Sequence, residues 1–193
     1  TQKVQRRSVD RAWIDAFLAE CDRCNLPHVA ACILFMWQTG ARVSEAVRVL
    51  PEHMNLQDRI VLLETTKTDE WAVCDITTEL MIRLANLPKV EGQPVFGYAS
   101  RFGVNRRMKA VCRRAKIDFV SPHQSGRHSY ATNALAMGAT VKDVMDGGRW
   151  KSARLVLETY AHSDRGGKRI AERFDTEAAQ FSSRSAQTSD RKG

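Results

Sequence analysis

The sequence predicts a single domain that is mainly α-helical with one small antiparallel β-sheet, an α+β fold. Three observations carry that expectation. Most apolar residues recur at three- and four-residue steps, the spacing of one helix face. Only one stretch is rich in β-formers, where RIVLLE (59–64) and EWAVCDI (70–76) flank the polar TTKTD. A chain of 193 residues, 43% of them hydrophobic, is long enough to close one real core.

The elements follow in order. Ser8 to Asn25 has helical period, with Trp13, Ile14, Phe17, Leu18 and Cys21 on one stripe and Ser8 as the expected cap. Pro27 to Gln38 reads as a second helix, apolar nearly all round and therefore buried, ended by Gly40. The two β-rich runs make a hairpin with Lys67 at its tip. Thr77 to Asn86 returns to helix, Pro88 to Pro94 is a loop, and Ser100 to Lys116 is helical again. In SPHQSGRHSYATNAL (121–135), Ser121 is the expected N-cap, Pro122 the first helical residue and Gln124 the partner in a capping box; the helix runs to Gly138. Thr140 and Asp143 repeat the capping pattern, a break is expected at Gly147 and Gly148, and Ser152 to Tyr160 gives a last core helix. The domain is expected to span residues 1–175. The remainder, 176–193, is polar and expected to be disordered.

Composition narrows the function classes. The formal net charge of +8 biases the protein toward polyanions, nucleic acid ahead of acidic membrane surface. No run approaches the ~18 apolar residues of a membrane span, and the opening TQKVQRRSVD lacks the apolar core of a signal peptide. A cytoplasmic location is expected, and the missing initiator Met suggests a piece of a longer chain. Five cysteines, an odd number, point to reduced thiols. Cys21 and Cys24 form CxxC with His28 nearby, but no second pair follows at zinc spacing and Cys21 lies on the apolar stripe, so a core role and no metal are expected.

The cations are concentrated. From Arg101 to Lys116 there are seven Lys or Arg and no acid, while Val104, Met108, Val111, Cys112 and Ala115 form an apolar stripe at helical spacing. One face packs and the other carries a single sign, which makes Arg101, Arg106, Arg107, Lys109 and Arg113 candidate DNA contacts; the bland alternative is a solvated face. His123, Arg127 and His128 crowd the start of one helix, and Arg42 follows a helix-ending glycine in QTGARVSEAVRV. Each arginine taken alone reads as the partner of a surface carboxylate. Crowded together, cations call for an anion.

Over roughly residues 8 to 175 these stretches resemble the catalytic domain of the tyrosine recombinases, the phage integrase family. The pieces stand in the family's order: TGARVSE, TTKTDE, RHSYATNAL, GGRWKS and LETYAH. The resemblance implies the fold of a DNA breaking-rejoining catalytic domain, and a site-specific recombinase acting on double-stranded DNA through a 3′-phosphotyrosyl intermediate. It implies no ATP, metal or other cofactor, and a homo-tetramer on synapsed DNA. By the same resemblance Arg42 and Arg127 clamp the scissile phosphate and Tyr160 is the nucleophile. Lys67 protonates the leaving 5′ oxygen, His123 is base or phosphate donor, Trp150 gives its indole N–H to a phosphate oxygen, and Glu45 orients Arg42. The smaller helical domain that precedes the catalytic one in this family is missing from the sequence, and DRGGKRIAERF (164–174) could dock on a neighbouring protomer.

Two departures stand out. Most members place the His three positions before the second Arg, whereas His123 precedes Arg127 by four and Gln124 takes the usual place. Arg149 and Trp150 also stand where many members have a histidine. Two other readings remain open at this level: a type IB topoisomerase, which shares the chemistry but relaxes supercoils, and a DNA-binding module without catalysis.

Overall fold

A helix that is apolar on every side has to be surrounded, and that requirement sets the architecture. The computed structural model describes residues 7–64, 71–160 (for Tyr160 the backbone only), 171–172 and 174–179. Helix α2 (Pro27–Thr39) buries every residue from Val29 to Met36. Around it, α1 (Arg11–Arg23) contributes Ile14, Phe17, Leu18 and Cys21 to the core. Past the single-turn α3 (Val43–Ala46), the helices α4 (Thr78–Ala85) and α5 (Arg101–Ala115) add Leu80, Leu84, Val104, Met108, Val111 and Cys112. The stripe spacing read from the sequence is the spacing that lets α1 and α5 present one face to α2.

A three-stranded sheet closes this core. Strands β1 (Met54–Asn55), β2 (Ile60–Glu64) and β3 (Trp71–Asp75) pair in that order and antiparallel throughout, with Ile60 opposite Asp75 and Glu64 opposite Trp71. Alternation does the sorting: Val61, Leu63 and Cys74 are buried, while Val73 points outward. Lys67 falls in the connection between β2 and β3, outside the described residues.

Three further helices make a second, smaller cluster. These are α6 (Ser129–Met137), α7 (Val141–Gly148) and α8 (Ala153–Tyr160), which pack Ala131, Val144 and Val156 under Tyr130, Leu135, Val141, Met145 and Trp150. The chain divides into two compact units, Thr1–Tyr160 and Ala161–Gly193. In the second, residues 174–179 are helical and the Thr176 hydroxyl donates to the Glu172 carbonyl at 2.8 Å, so helix extends past residue 175; the rest of the tail, 180–193, lies outside the described residues.

The structure differs from the sequence reading in four local places, each with a physical cause. Helix α1 is capped by Asp10, whose carboxylate accepts from Trp13 N at 3.0 Å, and not by Ser8. The helix cannot begin earlier because Val9 is already engaged elsewhere, its N–H donating to Ser129 Oγ and its carbonyl accepting from Trp37 and Asn133. At the start of SPHQSGRHS it is the Ser121 carbonyl that serves as cap, accepting from Gln124 N and Ser125 N, in place of the expected side-chain box. Helix α7 runs through Gly147 and Gly148 and ends at Arg149, which takes a left-handed φ of 58°. Trp150 N then reaches back to the Met145 carbonyl, the bond of a Schellman end. Strand β1, at two residues, is too short to leave a period in the sequence.

The expected cap of α7 and the buried place of Cys21 are both found. Thr140 and Asp143 form the reciprocal capping box. All five cysteines are free, and Cys21 is buried in the stripe where it was expected. Among the described residues no helix is long and apolar enough to cross a membrane, and no cluster of three metal-ligating side chains is present.

Phe35 sits at the centre of α2, fully buried, with its ring 5.3 Å from that of Phe96. Replacing it with Ala should lower unfolding free energy by about 3–5 kcal/mol, read from the urea midpoint. A loss below one kcal/mol would mean that α2 is not the pillar of the core.

Candidate active site

The run from Pro122 to Met137 is helical throughout, but it begins wide. Gln124–His128 is a π turn, in which each backbone bond closes one residue further on than in an α-helix. Gly126 lets this turn press on α2, since a Cβ there would lie 2.7 Å from Met36 Cβ. Ser125, Gly126, Arg127, His128 and Ser129 are all buried as a result. Arg127 is thereby delivered to the C-terminal end of α2.

There its guanidinium is held by carbonyls instead of a carboxylate. Nη1 donates to Gly40 O at 2.8 Å and to Gly148 O at 2.6 Å, and Nη2 donates to Arg149 O at 3.3 Å. These oxygens belong to the ends of α2 and α7, where the unpaired carbonyls carry the negative end of the helix dipole. The face of the guanidinium lies 3.7 Å over the Trp150 ring, and Trp150 in turn stacks on Tyr130 at 6.1 Å and 11°. Two glycines make room for this column. Gly40, at φ 66°, faces Tyr130 Cδ1 at 2.8 Å from where its Cβ would be, and a Cβ on Gly148 would overlap the Trp150 ring.

Glu45 organises the other two arginines. It is fully buried, and its two oxygens take the Arg42 backbone N–H at 2.7 Å and the Arg42 Nη1 at 2.6 Å, with Arg149 Nη2 at 3.7 Å. Arg149 also donates to Thr39 O and Gly147 O, while its buried Nε has no hydrogen-bond partner among the described residues. Two guanidiniums therefore share one carboxylate, which Arg127 feels only through its charge. Burial first, then the charges of Arg42 and Arg149, push Arg127 down to about 9 despite the opposing pull of Glu45. Hydrogen bonds to a charged donor are worth roughly 1.5–3 kcal/mol each, comparable to the several kcal/mol that burying an ion costs. An anion placed beside it would offset the burial and the like charges that lower it.

A cleft of about 250 Å³ opens here, lined by His123, Gln124, Arg127, His128, Trp150 and Thr159. The structure thus gathers His123, Arg127 and Trp150 at one cleft; Arg42 is not among the lining residues and reaches Arg127 only through its charge, while Glu45 links it to Arg149. Thr159 brings the last turn of α8, and with it the Tyr160 backbone, to the same place; the Tyr160 side chain and Lys67 lie outside the described residues. Arg101, Arg106, Arg107, Lys109 and Arg113 line the exposed face of α5 and not the cleft. Among the described residues Arg114 is the one cation of that helix drawn into an ion pair, with Glu20 at 3.1 Å.

Sequence reasoning had not counted Arg149, His128 or Thr159 among the site residues. The signal for Arg149 was present in GGRW, a glycine pair that needs a close neighbour and an adjacent cation. The other nucleophile types are muted. Burial pushes the Cys21 and Cys32 thiols up to about 12 and Cys112 to about 11, and Tyr98 likewise to about 12. Burial also raises Tyr130, beneath Trp150.

Millimolar inorganic phosphate should raise the thermal midpoint of this protein, because a ligand bound only to the folded state stabilises it by mass action. In Arg42→Ala the increment should shrink markedly. An equal increment in both proteins would place phosphate elsewhere on the surface.

The model of the phage integrase family matches residues 7–166. The fold is similar to that of XerA recombinase (15% identity, TM-score 0.71), covering 92% of this chain and 65% of that one. It is similar to the catalytic domain of bacteriophage HP1 integrase (17% identity, TM-score 0.63), covering 87% of this chain and 95% of that one. A third likeness is to XerH site-specific recombinase bound to a palindromic difH substrate (15% identity, TM-score 0.69), covering 94% of this chain and 56% of that one. The chain therefore spans less than two thirds of the XerA and XerH chains and nearly all of the HP1 catalytic domain. No curated protein sequence matches it.

Proposed function

This chain belongs to the phage integrase family, and on that premise we propose that it is the catalytic part of a site-specific DNA recombinase, cleaving and rejoining strands through a 3′-phosphotyrosyl intermediate. One observation carries the reading: the buried, under-neutralised Arg127 opens with His123 and Trp150 onto a cleft that the last turn of α8 also reaches. A phosphodiester supplies the negative charge this cleft is short of.

In the proposed step Arg42 and Arg127 hold the two non-bridging oxygens, a task suited to planar guanidiniums that stay charged. Tyr160 attacks phosphorus, forming the O–P bond as the P–O5′ bond breaks. Its phenol proton passes to His123, and the 5′ oxygen takes a proton from Lys67. Trp150 supplies an indole N–H to a phosphate oxygen. Negative charge grows on the non-bridging oxygens as the transition state forms, and each preplaced donor there is worth ~3–4 kcal/mol. Of the three tyrosines, Tyr98 and Tyr130 are raised by burial and so poorly suited to ionise, which supports Tyr160. The partner is double-stranded DNA, with the exposed cations of α5 as backbone contacts and a homo-tetramer as the assembly that exchanges strands.

The test uses a pool of nicked suicide duplexes of randomised sequence, incubated in EDTA, then denatured and probed for protein-linked DNA; recovered sequences define the substrate. Wild type should form the adduct and Tyr160→Phe should form none. Arg127→Ala should slow adduct formation by about a hundred- to a thousandfold with little change in DNA affinity. An adduct that survives Tyr160→Phe would sink the reading. Relaxation of a supercoiled plasmid without strand exchange would move the assignment to a topoisomerase.

Arg106→Ala and Arg113→Ala should each weaken binding to all sequences alike and flatten the salt dependence, log K against log salt, by about one unit. An unchanged slope would leave the α5 face as ordinary solvated surface.

A further inference from the structure

The geometry points to Ser129 as a positioning residue: its hydroxyl, locked by the Val9 amide, holds the π turn open and so sets His123 in register with Arg127 over the cleft. The role of His123 rests on the function proposed above; the hold on the turn does not.

Hydroxyls elsewhere on these helices reach back four residues, as Thr39 does to Phe35 O, Thr132 to His128 O and Thr159 to Leu155 O. Ser129 reaches back five, donating to Gln124 O at 2.7 Å. Its own backbone N–H donates to the same carbonyl. Two donors from one residue thus capture the oxygen that an α-helix would give to the N–H of His128.

A hydroxyl has a single proton and can swing away. Here Val9 N donates into Ser129 Oγ at 2.8 Å, which turns the proton away from Val9 and favours its bond to the Gln124 carbonyl. Val9 is itself fixed and buried, its carbonyl accepting from Trp37 Nε1 at 3.2 Å and Asn133 Nδ2 at 2.8 Å. Ser129 is fully buried as well.

The wide turn has a consequence for spacing. Because it accommodates one more residue per turn, four steps in it sweep about the arc that three steps sweep in an α-helix. His123 precedes Arg127 by four residues and the π turn covers Gln124–His128, so the turn absorbs the additional residue. Both His123 and Arg127 line the cleft.

The experiment compares adduct formation on the recovered suicide duplex by wild type, Ser129→Ala, Ser129→Thr, a deletion of Gln124, and the deletion combined with Ser129→Ala. Ser129→Ala should be slower on the order of ten- to a hundredfold, with DNA affinity kept, and Ser129→Thr should recover most of the rate. Deleting Gln124 restores a three-step spacing in an ordinary helix, so Ser129→Ala should then cost little further. A full-rate Ser129→Ala, or an equal loss in both backgrounds, overturns the proposal.

If Ser129→Ala alone does not fold, the combined variant should fold; its failure also overturns the proposal. NMR titration of the His123 imidazole with inorganic phosphate needs no cleavage and separates this proposal from the recombinase reading. Phosphate should raise the His123 midpoint in wild type and Ser129→Thr, since a nearby anion favours the imidazolium, and leave it nearly unmoved in Ser129→Ala. An equal rise in Ser129→Ala counts against the hold even if no variant forms an adduct.

Discussion

The buried guanidinium of Arg127 is the point on which the first unit turns. One apolar cluster surrounds α2 and a second lies among α6, α7 and α8, and Arg127 donates to the carbonyl end of a helix from each. Its partners are peptide oxygens, so the bonds fix its position without cancelling its charge. A carboxylate in their place would have given a tighter ion pair and a poorer site for an anion.

Everything near Arg127 serves its placement. Gly126 brings the π turn against Met36, Gly40 and Gly148 clear space for the Tyr130 and Trp150 rings, and Trp150 lies flat under the guanidinium. Glu45 pins Arg42 through both backbone and side chain and partly screens Arg149. The donors are thus held before any ligand arrives, which is the condition under which fixed dipoles lower a barrier most. Like charges gathered in a dry place cost folding energy that an apolar packing would not.

Local chain length has to be reconciled with a fixed cleft. An inserted residue in a regular helix rotates everything before it by about a hundred degrees, which would swing the helix start out of place. The π turn confines that change to one turn, at the cost of backbone geometry that needs support from outside the helix. The support comes from Val9, distant in sequence and lodged against α2 and α6.

The sequence alone determined the helix stripes of α1 and α5, the helical run of α4, the all-round burial of α2, the paired strands, and the Thr140–Asp143 cap, because these depend on periods and on partners a few residues apart. It also supplied Arg42, His123, Arg127, Trp150 and Tyr160 as candidates, through motifs whose order matched the family. Tertiary structure decided what no local pattern encodes. Arg149 belongs at the site because Glu45 and Thr39 are there, far away along the chain. The glycine pair at 147–148 is a space for aromatic rings and not a break, and α1 begins after Val9, which Ser129 holds, with Asp10 as its cap. Each of these turns on a contact between segments distant in sequence, whose energy exists only after the chain has closed around α2.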